Sequence, residues 1–127
     1  MRILLDSHIF LWWVAGERRL PAKVRKVIGS SRNECFLSHA SVWEMAVKSA
    51  LGKLRLPAPV GKFVSEQCEI NSFTLLPLSL EHIVAVERLP MHHRDPFDRL
   101  LVAQAHIEDM TLATRDRTLK AYGIKVV

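Results

Sequence analysis

The sequence is short of cysteine, glycine and aromatic residues, and it lacks a long hydrophobic run. Its 127 residues include two cysteines, five glycines and 7% aromatic residues. Cys35 and Cys68 stand apart without a CxxC spacing, so we expect two free thiols in a reducing compartment. The apolar run of residues 9–15 is too short to span a bilayer, and the start lacks the layout of a signal peptide. We therefore expect a cytoplasmic protein without a membrane segment.

The overall composition is that of a folded, basic protein. Hydrophobic residues make up 49% of the chain and the mean hydropathy is +0.09, which is typical of a globular rather than a disordered protein. A chain of 127 residues is long enough for one domain with a real core, and we predict a single domain over residues 1–127. The net charge of +5 favours a polyanion or an acidic protein as partner.

Hydrophobic periodicity predicts an alternation of strands and helices. The predicted strands are residues 2–6, 35–38, 73–78, 110–114 and 124–127. The predicted helices are residues 7–14, 21–31, 40–51, 60–70, 79–89 and 95–109, with a short helix through Tyr122. This order predicts an α/β fold of three layers, in which helices cover both faces of a mostly parallel sheet of four to five strands.

The chain is organised around the start of the helix that follows His93. Asp95 fits the N-cap of this helix, Pro96 fits its first position, and Asp98 stands where the acid of a capping box would stand. The residues from Phe97 to Ala105 are apolar on nearly every face, which predicts a buried helix. Two interpretations of Asp98 stay open: a helix cap or a member of an acidic site.

Acidic residues at four places of the chain are predicted to meet at one edge of the sheet. The carboxyl ends of parallel strands and the first turns of the helices share that edge, where open α/β sheets bind ligands. Each acid also has a simpler explanation, since Asp6 could cap the first helix and Glu44 could form a surface pair with Lys48. The acids that fall at this edge are Asp6, Glu44, Asp98 and Asp116.

Clustered carboxylates favour a divalent cation, because without one some of them would be forced into the neutral form. Oxygen ligands of this kind suit Mg²⁺ or Mn²⁺, and a cation in a basic surrounding indicates phosphoester chemistry. The adjacent pair His92 and His93 lacks the spacing of a zinc site, so we expect neither to bind a metal. Arginines next to the acids could hold phosphates or simply offset the acidic charge: Arg94, Arg99, Arg115 and Arg117.

Four stretches together resemble the PIN-domain family, specifically the VapC-like toxin ribonucleases of bacterial toxin–antitoxin pairs. The stretches are LLDSHIFLWW (4–13), SVWEMAVKSALGKLRLP (41–57), HRDPFDRLLVAQA (93–105) and LATRDRTLKAYG (112–123). Each short motif is weak by itself, whereas four in this order cover essentially the whole chain. Many relatives carry Thr or Asn where this chain has Ser7, which keeps the hydroxyl of Thr.

The resemblance implies a function and a set of site residues. It implies an endoribonuclease that cuts RNA with Mg²⁺ or Mn²⁺, forms a homodimer, and is silenced by a cognate antitoxin that inserts a segment into the site. Asp6, Glu44, Asp98 and Asp116 match the family's acidic quartet, Thr114 matches a hydroxyl position near the metal, and Asp95 matches a supporting acid. Trp12 and Trp13 are predicted to lie in the core or at the interface of the dimer.

Two other functions compete with the nuclease. A PIN-like module that binds RNA or a protein without cutting has no need for clustered acids, which weaken contact with a polyanion. A Mg²⁺-dependent phosphatase on a doubly wound sheet would usually carry a second acid two residues after the nucleophilic aspartate, whereas Asp6 is followed by Ser7 and His8. Both alternatives therefore rank below a metal-dependent ribonuclease.

Overall fold

Four parallel strands form the centre of the protein, which we describe from a computed structural model covering residues 1–127. The strands are β1 (Arg2–Leu5), β2 (Glu34–Ser38), β3 (Thr74–Leu76) and β4 (Thr111–Ala113), and their order in the sheet is β3-β2-β1-β4. In the register, Leu4 of β1 lies beside Phe36 of β2 and Leu112 of β4. The predicted α/β class and parallel sheet are confirmed.

Six helices cover the sheet. They are α1 (Ser7–Ala15), α2 (Ala22–Gly29), α3 (His39–Ala50), α4 (Val60–Asn71), α5 (Leu80–Ala85) and α6 (Pro96–Ile107). Two segments form 3-10 turns, Val86–Arg88 after α5 and Arg117–Tyr122 after β4. None of the helices combines the length and the apolar character needed to cross a membrane.

The core is divided into two apolar clusters by the sheet, because successive strand residues point to opposite faces. Ile3 and Leu5 of β1 pack with α1, α2 and α4 on one face, while Leu4 packs with α6 on the other. All three residues are fully buried, as expected for a central strand covered on both sides. This gives the three-layer α/β/α arrangement that the alternating sequence pattern predicts.

Several predicted element boundaries were wrong. Residues 124–127 do not form a fifth strand; after the left-handed turn at Gly123 they pair with β4 through a single bridge, Leu112 with Val126. The predicted helix 79–89 tightens into a 3-10 turn from Val86 onward. The third strand is shorter than the predicted residues 73–78, and the segment 117–122 is a 3-10 turn.

The apolar residues of the predicted helix 40–51 do not all face inward. Trp43 and Leu51 belong to those that recur at helical spacing, but they are 54% and 63% exposed. The inward residues are Ala40, Glu44 and Met45, because α3 packs between α4 and α6. Trp43 lies edge-to-face on Phe97 of α6, with ring centroids 4.9 Å apart.

The two adjacent tryptophans of α1 are half-buried. Trp13 packs against Phe73 and donates its Nε1–H to Asn71 Oδ1 at 2.9 Å. Trp12 is covered by two guanidinium groups, those of Arg19 and Arg115, which lie 5.1 and 5.5 Å from the centroid of its ring. The most exposed large apolar side chains lie elsewhere: Leu80 on α5, Met91 in the segment before α6 and Ile70 on α4 are 76%, 76% and 72% exposed.

Candidate functional site

Asp6 caps a helix and belongs to the acidic edge at the same time. It follows β1 directly, and its Oδ1 accepts the backbone N–H of Ile9 at 2.8 Å, which makes it the N-cap of α1. The side chain is almost fully buried. Burial raises the pKa of Asp6, while the Thr114 hydroxyl, the Ile9 amide and His8 partly offset this rise. A cap alone does not require such burial.

Glu44 is buried on α3 and is held by hydrogen bonds at both carboxylate oxygens. Ser7 donates its hydroxyl to Oε1 at 2.5 Å, and Lys48 Nζ lies 2.8 Å from Oε2. The predicted pair with Lys48 is present, but only 7% of the Glu44 side chain is exposed, so it is not a surface pair. Ser7 follows Asp6 in the chain, and this hydrogen bond therefore ties Glu44 to the end of β1.

The start of α6 places Asp98 at the same edge. Asp95 is the N-cap predicted from the sequence, and its Oδ1 accepts the backbone N–H groups of Phe97 and Asp98 at 2.8 and 3.2 Å. Pro96 occupies the first turn, where its missing N–H costs no hydrogen bond. The Asp98 carboxylate faces His93, with Oδ2 3.6 Å from Nε2.

The environment of Asp98 disfavours its charged form. Burial and the neighbouring carboxylates of Asp95, Asp6 and Glu44 raise the pKa of Asp98 to about 7, although His93 acts in the opposite direction. The Ser7 hydroxyl ties Glu44 to the end of β1, directly after Asp6, and the charges of Asp6 and Glu44 act on Asp98. The structure therefore places Asp6, Glu44 and Asp98 at the same edge of the sheet.

Asp116 joins the site from the loop after β4. Its backbone N–H donates to the Thr114 hydroxyl at 3.1 Å, and its Oδ1 accepts both the N–H and the hydroxyl of Thr118, at 3.0 and 2.5 Å. The Thr118 hydroxyl, together with His93, lowers the pKa of Asp116. Thr114 thus touches Asp116 and Asp6, and it connects the two acids through one hydroxyl.

His93 is the site residue that the sequence interpretation missed. Its Nε2 lies 2.7 Å from Asp116 Oδ2, and candidate ligand atoms of His93, Asp98 and Asp116 all lie within 4.8 Å of one another. The pair His92 and His93 was set aside because its spacing does not suit zinc, and this argument ignored the neighbouring acids. The spacing of His93 two residues before the N-cap and five before Asp98 was the available signal.

The four arginines proposed to hold phosphates have different surroundings. Arg99 is buried, and its guanidinium donates to the backbone carbonyls of Pro90, Val86 and Leu89 and to the Tyr122 hydroxyl, at 2.9 to 3.3 Å. The guanidinium therefore holds the segment before α6, and we withdraw Arg99 from the proposed phosphate contacts. The other three are exposed at the surface: Arg94, Arg115 and Arg117.

A groove of about 830 Å³ opens beside Glu44. Its floor is apolar and includes Trp12, Leu54 and Phe63, and Ser7 and Glu44 line the groove as well as the acidic site. Basic side chains dominate its rim, namely Arg19, Lys48, Lys53, Arg55 and Arg115. A negatively charged chain with unstacked bases would match both the floor and the rim.

The donor set suits a hard divalent cation. Asp6, Glu44, Asp98 and Asp116 offer carboxylate oxygens, which Mg²⁺ and Mn²⁺ prefer, and no cysteine lies among them. A cation would offset both the burial and the neighbouring negative charges that raise the pKa of Asp98. The residues present therefore fit the metal that was predicted from the sequence.

Comparisons with known proteins agree with this architecture. Residues 3–125 match the PIN domain family. Ribonuclease VapC22 of Mycobacterium tuberculosis is 30% identical over 122 residues, which are 94% of this chain and 91% of that protein. The fold resembles a chain of DNA-bound VapBC from Salmonella typhimurium, with a TM-score of 0.71, 12% identity and coverage of 100% of this chain and 97% of that one.

A second solved structure gives the same result for the fold. A chain of VapBC2 from Rickettsia felis, bound to a DNA fragment of its promoter, matches with a TM-score of 0.68 at 14% identity, covering 100% of this chain and 98% of that one. The family match and the parallel sheet with its acidic edge lead to the same conclusion. This chain belongs to the PIN domain family.

Proposed function

We propose that this protein is an endoribonuclease that depends on Mg²⁺ or Mn²⁺ and acts as the toxin of a toxin–antitoxin pair. The observation that carries the proposal is the geometry of the acidic edge, where candidate ligand atoms of His93, Asp98 and Asp116 lie within 4.8 Å of one another. Burial, together with the charges of Asp95, Asp6 and Glu44, also raises the pKa of Asp98 to about 7. Such crowding lowers the stability of a metal-free protein, and active sites are where it is expected. Residues 1–127 would act as one domain, since β1 pairs with β4 across the length of the chain.

A relative that matches nearly the whole chain supports the type of reaction. Ribonuclease VapC22 is 30% identical to this chain over nearly the full length of both proteins. Two of the solved structures that share the fold are VapBC complexes. RNA is therefore the proposed substrate.

The proposed metal ligands are Asp6, Asp98 and Asp116, with Glu44 as a ligand or as the group that orients the attacking water. A bound divalent cation would lower the pKa of a water molecule and offset the negative charge that develops on the phosphate. The carboxylate of Glu44 is fixed by Ser7 and Lys48, so it can accept a hydrogen bond from a water in a defined direction. The Thr114 hydroxyl accepts the backbone N–H of Asp116 and also forms a hydrogen bond with the Asp6 carboxylate.

Asp95 has a supporting role in this proposal. Its Oδ1 accepts two backbone N–H groups of α6, and this arrangement fixes the helix turn that carries Asp98. Its charge also contributes to the raised pKa of Asp98. Asp95 thus orients Asp98 and adds negative charge without itself being required as a ligand.

The basic groove is the proposed path of the RNA strand. Arg115 lies on its rim and follows Thr114 in the chain, so the groove leads directly from the acidic site. The basic rim would contact phosphates, and the apolar floor would receive an unpaired base. Arg94 and Arg117 are exposed next to Asp95 and Asp116 and would contact the phosphates on the other side of the cut.

Cleavage by wild type and by Asp98→Asn tests the nuclease directly. Structured and unstructured RNA are incubated with Mg²⁺, with Mn²⁺ and with EDTA, and circular dichroism confirms that each protein is folded. We expect cutting only by wild type and only with metal, while the exposed-surface variant Glu66→Gln cuts like wild type. A folded wild type that binds no metal by calorimetry and cuts neither RNA would leave the non-catalytic binding module as the better explanation.

Charge reversal in the groove tests the proposed strand path. Lys53→Glu with Arg55→Glu changes two exposed rim residues, and Lys23→Glu with Lys26→Glu makes the same charge change on the exposed face of α2. In an Asp98→Asn background, we expect the rim pair to weaken binding of single-stranded RNA and to reduce the salt slope by about 0.7 for each lost phosphate contact. Equal losses in the two double variants would show that only net charge matters.

The proposed partners are an antitoxin protein and a second copy of this chain. Several structures that share the fold come from VapBC complexes. Exposed apolar side chains on α3 and α5, such as Trp43, Leu80 and Ile83, are better interface candidates than the half-buried Trp12 and Trp13. Co-expression with a small reading frame adjacent to the gene should suppress cleavage and give a stable complex, and size-exclusion chromatography with light scattering should report a dimer of the isolated chain.

A further inference from the structure

His93 is placed where it could act either as a metal ligand or as a hydrogen-bond donor to the acids. Its Nε2 lies 2.7 Å from Asp116 Oδ2 and 3.6 Å from Asp98 Oδ2. A neutral imidazole can ligate a cation only through a nitrogen that carries no proton. The location of the single N–H of the ring therefore decides between the two roles.

The other ring nitrogen settles where that proton lies. The backbone N–H of Asp95 donates to His93 Nδ1 across 3.2 Å, so Nδ1 must offer a lone pair. The proton of the neutral ring then sits on Nε2, which points at Asp116. For Nε2 to bind a metal instead, Nδ1 would have to carry the proton, and two N–H groups would face each other.

We infer that His93 is a positioning residue that holds Asp116 in the site through an Nε2–H hydrogen bond and does not ligate the metal. Only the expected effect of His93 on RNA cleavage rests on the proposed function; its effect on the position of Asp116 does not. Asp116 lies in a partly exposed turn, and Thr118 saturates its Oδ1 with two hydrogen bonds. His93 is the group that fixes Oδ2, and it keeps this oxygen on the side of Asp98.

The backbone at the start of α6 couples His93 to the other acids. Asp95 donates its N–H to His93 and accepts the N–H of Asp98 at its carboxylate. One residue therefore sets the tautomer of His93 and the position of Asp98. The spacing His93-x-Asp95-Pro96-x-Asp98 thus encodes an orienting group, a cap and an acid in six residues.

Variants at His93 distinguish the positions of its two nitrogens. His93→Gln can place an amide N–H near the position of Nε2, whereas His93→Asn reaches only the position of Nδ1. His93→Ala removes both hydrogen bonds. His92→Ala is the matched control, because His92 is exposed and its ring packs on Tyr122 with centroids 5.0 Å apart. Circular dichroism and thermal melting establish that each variant is folded.

The first measurement needs neither metal nor substrate. The ¹⁵N chemical shifts of the His93 ring in metal-free protein at pH 8 report the tautomer, and we expect a protonated Nε2 and an unprotonated Nδ1. Calorimetry with Mn²⁺ alone follows. Loss of a group that orients a metal ligand typically lowers affinity by about 10- to 100-fold, which we expect for His93→Ala and His93→Asn, with partial recovery in His93→Gln.

Electron spin-echo measurements on bound Mn²⁺ separate the two roles. The inference predicts no directly coordinated imidazole nitrogen in wild type. A coordinated ¹⁴N signal that disappears in His93→Ala, or a proton on Nδ1 in the metal-free protein, would show that His93 is a ligand and would overturn it. Unchanged Mn²⁺ affinity in all three His93 variants would overturn it as well. If metal binding follows the predicted order but no RNA is cut, the positioning role stands and the proposed nuclease fails.

Discussion

Two polar residues of α6, the buried Gln104 and the partly buried Asp98, have opposite surroundings although they lie only about two turns apart. Gln104 is fully buried; its Oε1 accepts the Ser38 hydroxyl, and its Nε2 donates to the carbonyl of Pro77 at 3.3 Å. It also contacts His82, whose Nε2 lies 3.0 Å from Glu108 Oε1. Asp98, by contrast, has its pKa raised to about 7 by burial and by the charges of Asp95, Asp6 and Glu44.

The difference indicates which buried polar groups serve the fold and which serve function. A satisfied group such as Gln104 fixes the packing of α6 on β2 and the segment after β3, and no ligand is needed to explain it. The repulsion around Asp98 lowers the stability of the metal-free protein, and a bound cation would remove it. Burial alone does not identify a site, whereas burial among like charges does.

Replacing Asp98 should have the largest effect and opposite signs on activity and stability. We expect Asp98→Asn to lower RNA cleavage by about 10³-fold, the scale of several kcal/mol of transition-state stabilisation. The same change should raise the free energy of unfolding in EDTA at pH 8, because it removes a charge from a repulsive cluster. Cleavage assays and urea unfolding measure the two effects. If Asp98→Asn lost stability but still cut RNA, Asp98 would serve the fold as Gln104 does, and the difference between the two residues would disappear.

The stability of the metal-free protein should fall as the pH rises from about 4 to about 7. The pKa of Asp98 is raised from 3.8 to about 7, so the folded state binds more protons than the unfolded state in this interval. Asp6, whose pKa is also raised, acts in the same direction. The slope cannot exceed about 1.4 kcal/mol per pH unit for each proton, and solvent screening narrows the interval by reducing the pKa shift.

Unfolding by urea in EDTA over this pH range measures that slope. The slope should be smaller in Asp98→Asn, and Mg²⁺ should reduce it in wild type by stabilising the charged form. A pH dependence that is identical in wild type and in Asp98→Asn would show that Asp98 ionises normally.

Replacing Arg99 should reduce stability without a direct effect on the chemistry. We expect Arg99→Met to lower the free energy of unfolding by about 3 kcal/mol, because three backbone carbonyls and the Tyr122 hydroxyl lose a donor. Arg94→Met, at an exposed position next to the same helix, should change it by less than about 0.5 kcal/mol. Urea denaturation distinguishes the two, and equal effects would return Arg99 to the candidates for phosphate contact.

Gln104→Leu is expected to have the smallest effect, a loss of about 1 to 2 kcal/mol with cleavage retained by the folded fraction. The Ser38 hydroxyl and the Pro77 carbonyl would lose their partner, while the volume of the side chain is nearly kept. The exposed His106→Ala on the same helix is the control. A greater loss of cleavage than of folded protein would mean that this hydrogen-bonded region also positions the site.

Local sequence signals predicted the acids but not every partner of those acids. The spacing of Asp95, Pro96 and Asp98 predicts the start of a helix with Asp95 as its N-cap, and the structure confirms this cap. Arg99 could not be assigned in this way, since its partners come from the segment 86–90 and from Tyr122. The exposure of Trp43 could not be predicted either, because helical periodicity defines an apolar stripe without saying which neighbour covers it.

The sequence by itself determined the alternation of strands and helices, the parallel sheet and the edge at which the acids meet, because period, capping and right-handed connection are local or topological rules. Only the tertiary structure decided that Glu44 is held by Ser7 and that His93 turns its Nε2–H toward Asp116. Those hydrogen bonds join residues 37 and 23 positions apart in the chain. Their geometry depends on how the helices pack on the sheet, and no local pattern contains that information.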